Sequence, residues 1–281
     1  MPKLFAAVVM VACITGFLLT GAIRAESLSP SAIVGEYSGK VLNESRSTTK
    51  VGVQIKATES EGYIAIGYLG GLPGDGWNGD KPVESSGRLE NGKIHFKGDI
   101  ADVIYDDGTL TVIENGGKIE IGTLDKTIRK SPTLSTTPPE NAVILTDGKA
   151  NGVLPHETQR LHLEFQLNSD ESSSNPTGFG VLKIGNQLEL RISDSFCHLV
   201  GPENCGSLGK QSPKVNACLP PDQWQTLDLE FGPSMVKILL NGIEIHQDVP
   251  WAPQAQSALN WDGEKTGTRF RNIWHASRSS E

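Results

Sequence analysis

Arg160-Leu161-His162-Leu163-Glu164-Phe165-Gln166-Leu167 alternates apolar and polar residues without a break. Successive side chains of an extended chain point to opposite faces, so Leu161, Leu163, Phe165 and Leu167 share one face. His162, Glu164 and Gln166 share the other, and His162 reads as a surface histidine. Strands of the same kind are expected around it. They are Ala142–Leu145, Gly178–Ile184, Gln187–Ile192, Trp224–Phe231, Met235–Leu240, Ile243–Asp248 and Thr268–Trp274. Asn241-Gly242 supplies a tight hairpin between two of them. Asn168–Pro176 is rich in Ser and Asn and reads as a loop. Strands of this number and length, patterned on both faces, predict a two-sheet jelly roll over residues 142–277.

The preceding stretch, 33–128, is also all-β. Val34–Val41, Lys50–Lys56, Tyr63–Tyr68, Ser86–Leu89, Lys93–Lys97, Thr109–Ile113 and Lys118–Gly122 read as strands. Asn91-Gly92, Asp107-Gly108 and Asn115-Gly116 mark turns among them. The links are short, so neighbours should run antiparallel in a small barrel or sandwich of about seven strands. Residues 129–141 are polar and hold Pro132, Pro138 and Pro139. Proline lacks the donor a ladder needs, so this stretch reads as a linker between two modules.

The 281 residues carry 25 Lys and Arg against 33 Asp and Glu, a net charge of -8. That balance argues against nucleic acid as a partner, because phosphate binding needs clustered cations. Lys3, an apolar stretch to Ile23 and Arg24-Ala25 before polar Glu26 read as a signal peptide, residues 1–25, cleaved near Ala25. Cleavage removes two basic residues and no acidic one, and it places the mature chain in the periplasm, at the cell surface or outside the cell. Cys197, Cys205 and Cys218 then remain, and export favours a disulfide among them. Their spacing is not that of a zinc site. Asp75, Trp77 and Asp80 lie in a Gly-rich turn, read as structural rather than as a calcium loop. Phosphate-loop, dinucleotide and Gly-x-Ser-x-Gly fingerprints are missing, so no cofactor is expected.

Several motifs of the second module run in a specific order. They are Asp147-Gly148, Leu163-Glu164-Phe165, Leu188-Glu189-Leu190-Arg191-Ile192-Ser193-Asp194, Cys205-Gly206, Asn216-Ala217-Cys218, Pro220-Pro221, Trp224-Gln225-Thr226 and Arg269-Phe270-Arg271-Asn272-Ile273-Trp274. In these the module resembles the 3-keto-disaccharide hydrolase domain family, secreted β-sandwiches of concanavalin-like fold. The resemblance implies a carbohydrate partner: a disaccharide oxidised at the sugar 3-position, whose glycosidic link is cleaved. It also implies a disulfide between Cys205 and Cys218.

Glu189 and Arg191 alternate with Leu188, Leu190 and Ile192, so both project from one face. A carboxylate beside an arginine on a polar sheet face suits a sugar groove. Ordinary glycoside hydrolysis wants two carboxyls at a set separation, and this strand supplies Glu189 alone. A ketone at carbon 3 opens elimination instead, which needs a base and an acid. Glu189 is the candidate base and Asp194, where the strand ends, its helper. Arg191 and Arg271 are candidate substrate-binding residues. Arg271 either lines the groove, where the family places it, or pairs with a core carboxylate.

The family has a histidine segment before the Arg-Phe-Arg-Asn-Ile-Trp motif, whereas this chain reads Leu259-Asn260-Trp261-Asp262-Gly263-Glu264. Asn260, Trp261 and Asp262 are the substrate-facing candidates there, with Trp261 placed in a loop as a stacking platform. Trp224 and Trp274 read as core. Loss of the histidine favours a second function, a non-catalytic carbohydrate-binding module on the same fold. A cell-surface protein without a ligand is a third.

Overall fold

A computed structural model describes residues 30–60, 62–114, 119–145, 148, 150–167, 179–263 and 267–277. The expected signal peptide, Asn115-Gly116, Asp147, the loop expected over 168–176 and Glu264 lie outside these residues. The fold is all-β.

Eight strands close the N-terminal barrel: β1 (Gly35–Leu42), β2 (Thr48–Ala57), β3 (Gly62–Leu69), β4 (Val83–Glu90), β5 (Lys93–Phe96), β6 (Ala101–Asp106), β7 (Thr109–Glu114) and β8 (Glu120–Thr127). Each pairs antiparallel with the next, and β8 returns to β1. Sequence patterning missed β6, whose Ala101–Ile104 are all half-buried and show no alternation. Asn91-Gly92 and Asp107-Gly108 have positive φ at both positions, the backbone that a two-residue hairpin demands. Tyr37, Ile55, Ile94, Phe96, Tyr105, Leu110 and Leu124 fill the barrel. A short helix, α1 (Pro30–Ile33), lies against it, its Ile33 fully buried and its carbonyl accepting from Tyr37 Oη at 2.6 Å.

Among the described residues ten strands build the sandwich: β9 (Ala142–Leu145), β10 (Gly152–Pro155), β11 (Thr158–Gln166), β12 (Gly180–Ile184), β13 (Leu188–Ile192), β14 (Trp224–Phe231), β15 (Met235–Leu240), β16 (Ile243–Pro250), β17 (Gln256–Asp262) and β18 (Arg269–Ser277). One sheet has the order β10-β17-β12-β13, the other β16-β15-β14-β11-β18-β9. Between them pack Leu182, Leu190, Ile192 and Leu259 from the first and Leu161, Leu163, Phe165, Leu227, Leu229 and Phe270 from the second.

Three expectations change here. β10 and β17 are additional strands, so Trp261 sits on a strand and not in a loop. His162 is fully buried rather than on the surface, and so is Glu164. The polar face of β11 is covered because the proline-rich stretch lies across it as a strap. Ser131 Oγ lies 2.6 Å from Thr226 Oγ1, Thr133 Oγ1 donates to Asp228 at 2.7 Å, and the Ser135 N–H donates to Glu164 at 2.5 Å.

Barrel and sandwich share one core. Ile66, Tyr68 and Leu72 of the barrel pack in the same cluster as the sandwich leucines. Leu72 comes from the Gly-rich loop between β3 and β4. Trp77, in the same loop, meets Tyr68 edge-on at 5.7 Å and donates to the Asp80 carbonyl, so this turn is a docking element. Arg129, at the start of the strap, reaches both oxygens of the buried Glu36 at 2.6 and 2.8 Å.

Candidate active site

The registers of β12, β13 and β17 decide what stands beside Glu189. Lys183 lies opposite Glu189 on one side and opposite Asn260 on the other. Val181 lies opposite Arg191 and Asp262. Leu182, Leu190 and Leu259 point into the core, so Glu189, Lys183, Asn260, Arg191 and Asp262 all stand on the outer face of the four-stranded sheet. This gathers four of the residues expected from sequence and adds Lys183. Val181 and Lys183 alternate with the buried Leu182 and Ile184 on β12, and register shows that Lys183 meets Glu189.

The charges on this face are unequally tied. Arg191 lies 3.6 Å over the ring of Phe179 and pairs with Glu203 at 2.6 Å. Lys183 pairs with the exposed Asp262 at 3.3 Å. Glu189 is exposed, and among the described residues no cation stands within ion-pair distance of it.

Three expected residues do not join this face. Trp261 pairs with Leu182, points inward and packs against Phe270 with centroids 5.0 Å apart, so it is not a stacking platform. A Cβ on Gly180 would fall 2.0 Å from its ring, so glycine is what lets this tryptophan lie there.

Asp194 leaves the end of β13 and lies in the field of Lys56 on the barrel and of His198. Asp194 is itself exposed; desolvation by its surroundings raises its pKa, opposed by the Phe196 N–H at 3.0 Å, by Lys56 and by His198, whose own pKa is lowered. Lys56 Nζ and His198 Nε2 are themselves in contact across the two modules.

Arg271 belongs to the other sheet and faces outward from it. Of its two expected roles the structure shows the pairing with a core carboxylate: Nε donates to Glu164 at 2.7 Å, and the guanidinium covers Trp224 at 3.9 Å. The sandwich core therefore separates Glu189 from Arg271.

The face that carries Arg271 has a polar network of its own. His162 Nδ1 lies 2.8 Å from Asp228, which also accepts from Arg160 at 2.7 Å, and the His162 ring stacks on Trp274. Burial alone would raise the Asp228 pKa. Hydrogen bonds from His162, Arg160 and Thr133 outweigh it, and the pKa is lowered. Glu164 behaves likewise, with Asn272, Arg271 and the Ser135 N–H overcoming burial. Trp274 is core, as expected, and Trp224 is half-buried beneath Arg271.

The disulfide expected between Cys205 and Cys218 is not formed. Both are buried thiols, and their mutual hydrogen bond, then burial, raise the Cys205 pKa. Cys197 is also a free thiol, pushed up to about 12 by burial. It donates to the Gln54 carbonyl of β2 at 3.3 Å.

A family described as 3-keto-alpha-glucoside-1,2-lyase-like domains matches residues 71–275, well over half the chain. The chain belongs to this family. The family match is longer than the resemblance found by motif, since it begins in the loop between β3 and β4 of the barrel. No curated protein matches the chain. Among solved structures, two Parabacteroides distasonis proteins described as candidate glycosyl hydrolases are similar. One has 12% identity and a TM-score of 0.32, covering 47% of this chain and 77% of the other. The second has 18% identity and a TM-score of 0.35, covering 50% and 94%. A β-fructofuranosidase from Schwanniomyces occidentalis aligns at 11% identity and a TM-score of 0.31, over 85% of this chain and 58% of that one.

Proposed function

We propose that this member of the family cleaves glycosides of 3-keto sugars by elimination across carbons 1 and 2, with Glu189 as the base. The observation that carries the reading is the row Glu189, Lys183 and Asn260 on an open sheet face of a chain in this family. A ketone at carbon 3 makes the hydrogen at carbon 2 acidic, because the electrons left behind spread onto the carbonyl oxygen. A base at carbon 2 then suffices to expel the oxygen on carbon 1, and no carboxylate nucleophile is needed. Glu189 suits the base, being an exposed carboxylate without an ion partner among the described residues. Asn260 and Arg191 would hold sugar hydroxyls beside it. Later addition of water to the new double bond would make the net change a hydrolysis.

The second reading is a carbohydrate-binding module that turns nothing over. It is favoured by one observation: Leu259–Gly263 contributes Asn260 and Asp262 to the face but no histidine to protonate a leaving group.

Release of the aglycone from a 3-keto-glucoside, compared between wild type and Glu189→Gln, separates the two. Loss of about two orders of magnitude or more in kcat is expected for the variant, the usual scale for removing a general base. Undiminished release would remove Glu189 from the centre. No release by folded wild type would leave the binding module. We also propose that the mature chain works outside the cytoplasm, a reading supported by Lys3, the apolar stretch and Ala25. The mass of the exported protein should then correspond to a start near Glu26.

A further inference from the structure

Resting on the elimination reading just given, we propose that Lys183 is the electrophile of the site. Its ammonium binds the oxygen at carbon 3 and holds the negative charge that forms there as Glu189 takes the proton from carbon 2.

Carbons 2 and 3 are bonded neighbours, so the base and the group on the ketone have to come from adjacent positions on the sheet. Among the described residues the strands of this face offer two cations. Arg191 stands two residues from Glu189 on the same strand, about 6.6 Å away along the chain. Its guanidinium is already stacked over Phe179 at 3.6 Å and paired with Glu203 at 2.6 Å. Lys183 is the direct cross-strand partner of Glu189, and such partners have Cβ atoms about 4.5–5.5 Å apart. It is also the partner of Asn260, which puts it at the centre of the three-strand row. Among the described residues its ammonium is held by the exposed Asp262 alone, at 3.3 Å. A long flexible stem lets it leave that partner for a carbonyl oxygen, and Asp262 sets its resting position.

The step balances without a co-reactant. Glu189 accepts the proton from carbon 2, the C–H pair becomes a bond between carbons 2 and 3, and the carbonyl pair moves to oxygen against Lys183. The enolate then restores the carbonyl. A double bond forms between carbons 1 and 2, and the bond from carbon 1 to the aglycone oxygen breaks with its electron pair. That oxygen takes up one proton, and the proton on Glu189 is released to balance it. Bringing a positive group to where charge develops is the largest single contribution in many enzymes.

The test uses the full mature chain, a 3-keto-glucoside with a chromogenic aglycone, and exchange of the carbon 2 hydrogen in deuterated water. Lys183→Met should lower kcat by about 10²-fold or more. KM should stay within about threefold, the pattern of an interaction made in the transition state. Exchange should fall with kcat, and Lys183→Arg should recover part of both. A melting temperature equal to wild type shows that the Met variant folds, and the Arg variant carries the comparison if it does not. Full kcat in Lys183→Met, or a rise in KM alone, would overturn the assignment while leaving elimination in place. Neither release nor exchange by wild type would overturn elimination, and the role of Lys183 with it.

Discussion

Cys205 and Cys218 are buried neighbours that hold each other as thiols, whereas Cys197 is held by the Gln54 carbonyl. All three are shielded from solvent, and Cys197 and Cys205 have raised pKa values, so none is expected to react quickly with alkylating agents in the folded state. On the proposed export, oxidation would join the two neighbours, each giving up its hydrogen to the oxidant of that compartment. The exported chain is then expected to be two hydrogens lighter than the reduced one. Only Cys197 should take up iodoacetamide after unfolding without reductant. Three labelled cysteines in the exported protein would show that the pair stays reduced.

β11 is the element on which the sandwich turns. Its apolar face fills the core, and its polar face carries His162 and Glu164 under the strap. Asp228, opposite His162 on β14, is the hub of that layer, with partners His162, Arg160 and Thr133. Removing one member of a buried charged set leaves the others unpaired. Asp228→Ala should therefore cost about 3–5 kcal/mol in urea unfolding. The pH dependence follows from the same groups. Glu164 and Asp228 have lowered pKa values, so the unfolded chain binds protons before the folded one. Their contribution is complete above the ordinary carboxylate range and is lost as pH falls below about 4. Melting temperature against pH should show that fall, flattened in Asp228→Asn.

Elements of this kind were legible in the sequence wherever side chains alternate or a turn demands positive φ, as at β11, Asn91-Gly92 and Asn241-Gly242. β6 escaped because one flank is as covered as the other, and β17 because Asn260-Trp261-Asp262-Gly263 looks like a turn. For the candidate site, alternation gave the face of Glu189 and Arg191. Lys183 and the separation of Arg271 depend on which strands become neighbours, and that is settled by long-range pairing.

At the scale of the molecule, barrel and sandwich are joined through Leu72, Ile66 and Tyr68 and through Arg129 on Glu36. A shared core couples their unfolding, so calorimetry is expected to show one transition. Leu72→Ala leaves a cavity in that core and should lose about 2–5 kcal/mol, the range for buried leucines. Two resolved transitions in wild type would mean that the modules unfold independently.

The Gly-rich loop that carries Leu72 has a consequence for how such a chain can be cut and recombined. Its backbone folds so tightly that a Cβ on Gly52 would strike the Leu72 nitrogen at 2.6 Å, which fastens the loop to β2. Severed at the proline-rich stretch, the sandwich would be born with a hole where Leu72 had been, and with the pairing face of β11 uncovered. The region matching the family starts at residue 71, one position before that leucine. The portion that must travel together in a gene fusion or a domain transplant is thus not the sandwich bounded by its own strands. It is the sandwich with the loop that plugs it, and a graft that respects strand boundaries alone should yield insoluble protein.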